Sequence, residues 1–319
     1  MKLGLMVSAF DWPGGSREYG RTLGRIGRDA EQAGFSSLWV MDHFFQTPLN
    51  GPPEGDCLEA YTTLAYIAGQ TTTLRLGTMV SGVTHRHPAV LVKTVTTLDV
   101  LSGGRAALGI GASWYEEEQR AYGIPVRPLR ERFERLEEAL RIAHRMWAGD
   151  ESPFKGEHYQ LERPLNAPAP LSRPHPPILV GGQGEKRTFR LIAQYADACN
   201  FYEPPTPEML AEKMRTLPPD HPMRRGGGRD PFGMLRRKLA VLRERCEEYG
   251  RPWTELEKTT LGGVTLSRTG GSGTMTPAQA VDRYGALAGL GIDHAVVEPS
   301  DLHRPGALEL WGEVVAQVR

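Results

Sequence analysis

The chain has 319 residues, with 38 Lys plus Arg against 38 Asp plus Glu and so a formal charge of zero at pH 7. That length fits one large core, because α/β barrels run to about 250 residues or more as a single domain, and the even scatter of basic residues argues against a nucleic-acid surface. Cys57, Cys199 and Cys246 lie far apart with no C-x-x-C pair, which argues against a disulfide framework or a structural zinc site and fits a reducing cytoplasm.

The N-terminus runs directly into an apolar stretch without a cleavage signal, and no run approaches the roughly 18 apolar residues of a membrane span. Neither export nor a membrane partner is expected. In chain order, strand-like apolar runs fall at residues 2–7, 37–41, 74–80, 106–110, 177–180, 198–201, 259–266 and 294–297. Helical patterns alternate with them at 17–33, 57–70, 89–101, 128–147, 186–195, 230–249, 276–287 and 306–318. The clearest helix carries Leu129, Phe133, Leu136, Leu140, Ala143 and Trp147 in steps of four and three, which keeps one apolar face toward the strands. Strand and helix repeated in this way predict an α/β fold of the (β/α)8 TIM-barrel type. A doubly wound open sheet is the alternative, since periodicity carries no information about closure.

One domain over residues 1–319 is expected, with insertions near 148–176 and 203–231. Residues 154–161 read as a small hairpin ahead of a proline-rich run at 164–177. Residues 217–231 carry Arg224, Arg225 and Arg229 among glycines and prolines. Such a composition buries little and reads as a solvated loop, with an arginine-bearing lid as the alternative.

In a barrel, chemistry gathers just past the carboxyl ends of the strands. Those ends supply Ser8, Asp42, His43, Met79, Val80, Ser81, residues 109–113, Gly181, Gly182, Asn200, Ser267 and Glu298. Carboxylates are few and glycines many, a composition suited to close backbone approach to a flat or phosphorylated ligand and not to a metal. The run from Ser37 to Met41 breaks off into Asp42 and His43. An imidazole there can exchange a proton near neutral pH or hold a ligand, although a core histidine satisfied by one carbonyl is the plainer reading. The pair His85 and His87 invites a metal, but no later strand end completes a ligand set, and Pro88 reads instead as a helix start.

The loop Gly181-Gly182-Gln183-Gly184 leads from a buried run into a helix, where free amides and the helix dipole favour an anion. Lys186 and Arg187, read as the first helical turn, would each be unfavourable there by about 0.3–1 kcal/mol without one. A glycine-permitted turn with its basic side chains in water is the alternative, and the loop matches neither common nucleotide fingerprint.

Four segments in order then carry a resemblance: residues 34–44 (GFSSLWVMDHF), 76–89 (LGTMVSGVTHRHPA), 98–105 with 108–112 (LDVLSGGR and LGIGA), and 178–182 (ILVGG). The chain resembles the bacterial luciferase-like superfamily of flavin- and deazaflavin-dependent oxidoreductases, in particular its coenzyme F420-dependent branch. The resemblance runs from residue 1 to about 202 and resumes near 232. It implies a barrel with insertions whose cofactor ring rests on a third-strand bulge, often with a non-prolyl cis peptide. That bulge falls at Met79 and Val80, with Ser81 as the second register. It further implies that Gly111, Ala112, Gly181, Gly182, Gln183 and Gly184 hold the cofactor, that His43 handles substrate on the open ring face, and that the protein is a homodimer. The implied reaction is hydride transfer between F420 and a small organic substrate. An FMN-dependent monooxygenase shares the same motifs, and a catalytically silent cofactor- or phosphate-binding barrel is a third reading. Where the family's sugar-phosphate dehydrogenases place a glutamate, this chain has Trp114, which speaks against that substrate. Trp114 and Glu298 are the expected substrate-pocket residues, with plain packing the alternative for Trp114.

Overall fold

The computed structural model describes residues 1–48, 50–204, 230–271 and 273–318. The first half contains β1 (Lys2–Val7), α1 (Tyr19–Ala33), β2 (Ser37–Val40), α2 (Ala60–Ala68), β3 (Arg75–Thr78), β4 (Ser81–Gly82), α3 (Pro88–Leu101), β5 (Ala106–Gly111), α4 (Glu116–Ala121) and α5 (Leu129–Trp147). The second contains β6 (Phe154–Lys155), β7 (Gln160–Leu161), β8 (Ile178–Gly181), α6 (Thr188–Tyr195), β9 (Ala198–Tyr202), α7 (Gly233–Glu248), β10 (Glu257–Gly262), β11 (Thr265–Leu266), β12 (Thr274–Met275), α8 (Pro277–Gly289), β13 (His294–Val297) and α9 (Glu309–Val318).

Parallel pairing runs β3, β2, β1, β13, β10, β9, β8, β5. It then returns from β5 to β3, with Leu76 opposite Ala106 and Gly77 opposite Ala107, so the ring is closed. The expected barrel is therefore present and the open sheet is not. β4 continues the third stave beyond Met79 and Val80 and pairs with the end of β5.

Alternation along each strand separates two apolar layers. Leu3, Leu5 and Val7 of β1 and Leu38 and Val40 of β2 join the large core beneath the helices. Their neighbours Met6 and Trp39 turn inward and join Met41, Ala107, Leu179, Ala198 and Val296 in a separate cluster that fills the barrel. A slip of one residue would exchange the layers, so the pattern itself fixes register. Along α5, Leu136, Leu140, Ala143 and Trp147 are buried, each worth about 1.5–3 kcal/mol when a large side chain is fully covered. Trp147 Nε1 also donates to Thr96 Oγ1 at 3.0 Å, tying α5 to α3. Leu129, expected on that face, is 54% exposed at the first position of the helix.

Two expectations need correction. The run at 259–266 is not one strand: β10 ends at Gly262, and Thr265 and Leu266 pair with Thr274 and Met275 outside the barrel. A side chain at Gly262 would collide with Glu203, and the chain leaves the sheet there. The short α4 is an additional helix that the apolar pattern does not mark. The hairpin at 154–161 is formed, with Phe154 opposite Leu161, and it sits on α5 because Glu138 accepts the amides of Glu157 and Tyr159 at 2.6 and 3.0 Å. Most of the second insertion, residues 205–229, and with it the lid reading, lies outside the described residues. Among the described residues no helix is long and apolar enough to cross a membrane.

Candidate active site

Strand alternation carries the inward face past the barrel's apolar filling to its C-terminal rim. Ser8 lies two residues beyond Met6, His43 two beyond Met41, and Glu298 two beyond Val296, so three polar side chains on adjacent staves continue the inward face. Ser8 donates its hydroxyl to Glu298 Oε1. Burial pushes the Glu298 carboxyl above its ordinary range, with the Ser8 bond acting against it.

His43 is held by a residue of α4. Its Nδ1 lies 3.1 and 3.2 Å from the two carboxylate oxygens of Glu118, and His85 Nε2 lies 3.3 Å from the same carboxylate. The Phe44 amide donates to Glu118 Oε2 at 2.5 Å. Burial alone would raise the Glu118 carboxyl, but the hydrogen bonds from His43, His85 and Phe44 outweigh it and bring the pKa down to about 2. A carboxylate on Nδ1 assigns the neutral ring's proton to that nitrogen and leaves Nε2 as the acceptor. The side chain of Glu118 is 0% exposed and that of His43 14%, so the ring is the group that reaches the rim.

Above His43 stands an aromatic wall. The Trp114 ring meets His43 edge-on at 5.7 Å between centroids and stacks on Tyr115 at 5.1 Å. Trp114 is 52% exposed. The turn that presents it passes through Ser113 at φ 59°, and Ser113 Oγ accepts from the Thr84 amide and hydroxyl at 3.3 and 2.8 Å. Arg132 closes the turn by donating to the Ser113 carbonyl at 3.0 Å.

Asp42 has a structural partner. Arg86 reaches Asp42 Oδ2 and Glu59 Oε1, both at 2.5 Å, and lies over the rings of Tyr61 and Phe44 at 5.1 and 5.7 Å. Burial would lower the Arg86 guanidinium, but Asp42 chiefly reverses this and raises it. His87 caps α3, accepting the Ala89 amide at 3.3 Å, and Pro88 occupies the first helical position as expected. His85 and His87 therefore turn to different tasks, and among the described residues no group of three or more His, Cys, Asp or Glu is arranged to hold a metal. Cys57 donates its thiol to the His43 carbonyl at 3.3 Å, and burial, with Glu118 and Asp42 nearby, pushes that thiol up to about 12.

The peptide between Met79 and Val80 is cis. Three glycines make room for Val80: a Cβ on Gly109, Gly111 or Gly181 would lie 3.3, 2.9 or 2.8 Å from its methyl groups. At Gly109 the same Cβ would also meet the Thr78 carbonyl oxygen at 1.7 Å. These glycines thus shape the wall on which Val80 rests.

The sequence model of the luciferase-like monooxygenases matches residues 1–217. The chain belongs to that family. Among its relatives, an F420-dependent glucose-6-phosphate dehydrogenase of Kineococcus radiotolerans is 34% identical over 189 residues, covering 58% of this chain and 52% of the relative. An FMNH2-dependent dimethylsulfone monooxygenase of Pseudomonas putida is 38% identical over 95 residues, 30% of this chain and 26% of that protein. The chain spans about half the length or less of both curated relatives. In fold it is similar to a solved F420-dependent secondary alcohol dehydrogenase in complex with an F420-acetone adduct, with TM-score 0.76 at 16% identity, covering 100% of this chain and 99% of that one.

Among residues expected to hold the luciferase-like cofactor, the structure draws distinctions. Met79 and Val80 border the inner cluster. Ser81 is buried, its hydroxyl within 2.9 Å of Tyr61 Oη and 3.0 Å of Thr78 Oγ1, and thus committed to the helical layer. Ala112 likewise packs against the outer core. A Cβ on Gly111 or Gly181 would point at Val80, so these two positions also shape the space around that side chain. Gly182, at φ 118°, and Gly184 are exposed. Gln183 lends its carbonyl to Lys238 Nζ at 2.8 Å. Lys186 and Arg187 precede the helix instead of entering it: α6 begins at Thr188, and Arg187 lies over Phe133 at 5.6 Å. A groove of about 820 Å³ bordered by Val90, Leu101 and Leu165 lies outside the barrel and includes none of the rim residues.

Sequence reasoning missed Glu118, the central anion of the site. Its signal was helical spacing, since Tyr115, Glu118 and Gln119 stand at i, i+3 and i+4 and all three are buried.

Proposed function

We propose that this chain is an F420-dependent oxidoreductase that moves a hydride between the deazaflavin and a small organic substrate, with His43 as its proton-handling residue. The observation that carries the reading is the His43–Glu118 pair at the C-terminal rim, its Nδ1 engaged at 3.1 Å and its ring beside the exposed Trp114. The relative of K. radiotolerans and the fold neighbour, both F420-dependent by name, support the cofactor assignment.

The residues present fit such a group. The wall of Met79 and Val80, recessed by glycines, offers a flat apolar bed. Among the described residues no protein acceptor meets the amides of Gln183 and Gly184, which suits them to an anionic tail beside Lys238. When bound, the deazaflavin supplies two-electron hydride chemistry. His43 Nε2 takes the hydroxyl proton of a substrate being oxidised or returns it to a carbonyl being reduced. Glu118 holds the ring in one orientation through Nδ1, and Trp114 covers the substrate's apolar part. Homodimerisation through the outer groove at Val90, Leu101 and Leu165 belongs to the same proposal, because these apolar side chains border an open surface.

The P. putida relative keeps FMN as the second reading. Anaerobic fluorescence titration of the protein with F420 and with FMN separates the two. Micromolar or tighter F420 binding is the expected result. Tight binding of FMN with none of F420 would transfer the assignment to the monooxygenases.

A further inference from the structure

At the described rim Glu118 and Glu298 have no Lys or Arg partner, whereas the acids Asp42 and Glu203 are ion-paired with Arg86 and Arg283. Glu118 is matched by His43, His85 and an amide, and Glu298 by the hydroxyl of Ser8 alone. Arg86 is taken by Asp42 and Glu59, and Arg132 donates to the Ser113 carbonyl at 3.0 Å. Arg283, on α8, pairs with Glu203 just past β9. A phosphorylated or carboxylate substrate would enter this space against the Glu118 charge, with the guanidinium groups of Arg86 and Arg283 already ion-paired.

The rim is also divided. β2 and β13 flank β1, so His43 and Glu298 stand two strand spacings apart, about 10 Å between strand axes. Ser8 lies between them and orients the Glu298 carboxyl, while the floor beneath is Met6, Met41 and Val296. Such a slot has polar groups at both edges and an apolar base. Burial favours the uncharged form of Glu298, which as an acid both donates and accepts hydrogen bonds.

We infer that the site selects an uncharged substrate bearing a hydroxyl or carbonyl group, held between His43 and the Ser8–Glu298 pair, and rejects phosphorylated and carboxylate substrates. This rests on the oxidoreductase reading and adds the substrate class. It sets the chain apart in specificity from the sugar-phosphate dehydrogenases named among its relatives.

The test uses the F420-loaded protein and four probes sharing one ring: cyclohexanol, cyclohexylamine, cyclohexanecarboxylate and cyclohexyl phosphate, with binding followed by saturation-transfer NMR and calorimetry. Cyclohexanol is expected to bind at least about tenfold more tightly than the two anions and more tightly than the amine. Glu298→Leu should weaken cyclohexanol about tenfold with F420 affinity retained, which also reports that the variant is folded. Glu298→Gln, a neutral hydrogen-bonding substitute, should restore most of that loss. Equal or tighter binding of the phosphate, preference for the amine, no detectable binding of the alcohol, or full alcohol affinity in Glu298→Leu would each overturn the inference while F420 still binds. Failure of F420 itself to bind would remove the oxidoreductase reading and this inference together.

Discussion

The two ends of the barrel use the same residue types to opposite effect. At the N-terminal end Glu257 is ion-paired with Lys2 at 3.0 Å and Arg75 at 3.2 Å, and His294 Nδ1 lies 3.5 Å away. Burial would raise its carboxyl, but His294, Arg75 and Lys2 together hold it well below the usual range. Ser37 bonds both Trp39 Nε1 at 2.7 Å and His294 Nε2 at 3.0 Å, completing a polar plug under the inner cluster. At the C-terminal end Glu118 faces two imidazoles and Glu298 a hydroxyl, and the Trp114 side chain is left half in solvent. One end neutralises its charges and stabilises; the other keeps proton-exchanging groups within reach of a ligand. That division matches the rule that barrel chemistry sits at the carboxyl ends of the strands.

Substitutions at the two ends should separate in kind. His43→Asn is expected to cut turnover of F420 about 10²- to 10⁴-fold with F420 affinity unchanged, measured by absorbance and by fluorescence titration. Equal turnover would remove His43 from the chemistry. Glu118→Gln should reduce turnover by about 10- to 100-fold, because the imidazole loses the anion that orients it. The same variant carries a pH signature. The folded carboxyl titrates near 2 and not near 4.5, so its stabilisation is complete above about pH 4.5 and lost as pH falls through about 2. Urea midpoints should therefore decline less steeply between pH 5 and 2 in Glu118→Gln than in the wild type, and parallel declines would deny the shift.

At the opposite end, Glu257→Gln should cost roughly 1–3 kcal/mol in urea unfolding and leave turnover unchanged. A turnover loss without a stability loss would reverse the assignment of the two ends. The smallest effect belongs to Trp114→Ala, expected to raise KM roughly 5- to 10-fold at nearly constant stability. A drop in stability with constant KM would make Trp114 a packing residue.

Much of the barrel was legible because its strands are buried on both sides and read as apolar runs, from Leu3 to Val7 and from Leu38 to Met41. Closure was not, since the pairing of Leu76 with Ala106 joins residues about thirty apart that no local pattern links. The position of His43 was legible as a polar break after a strand. Its partner was not: Glu116, Glu117 and Glu118 are three like residues in a row, and only the short α4 turns the third inward. The glycines show a similar limit. Their abundance at the rim was visible, but that Gly109, Gly111 and Gly181 make room for Val80 depends on three staves meeting in space.

The most direct test of the central claim is a crystal structure of the protein with F420 bound. The expected result is the tricyclic ring at the C-terminal rim against Met79 and Val80, with His43 Nε2 toward its open face and Glu118 on Nδ1. A ring lodged in the outer groove or at the Glu257 end, or a His43 turned away from it, would contradict the account.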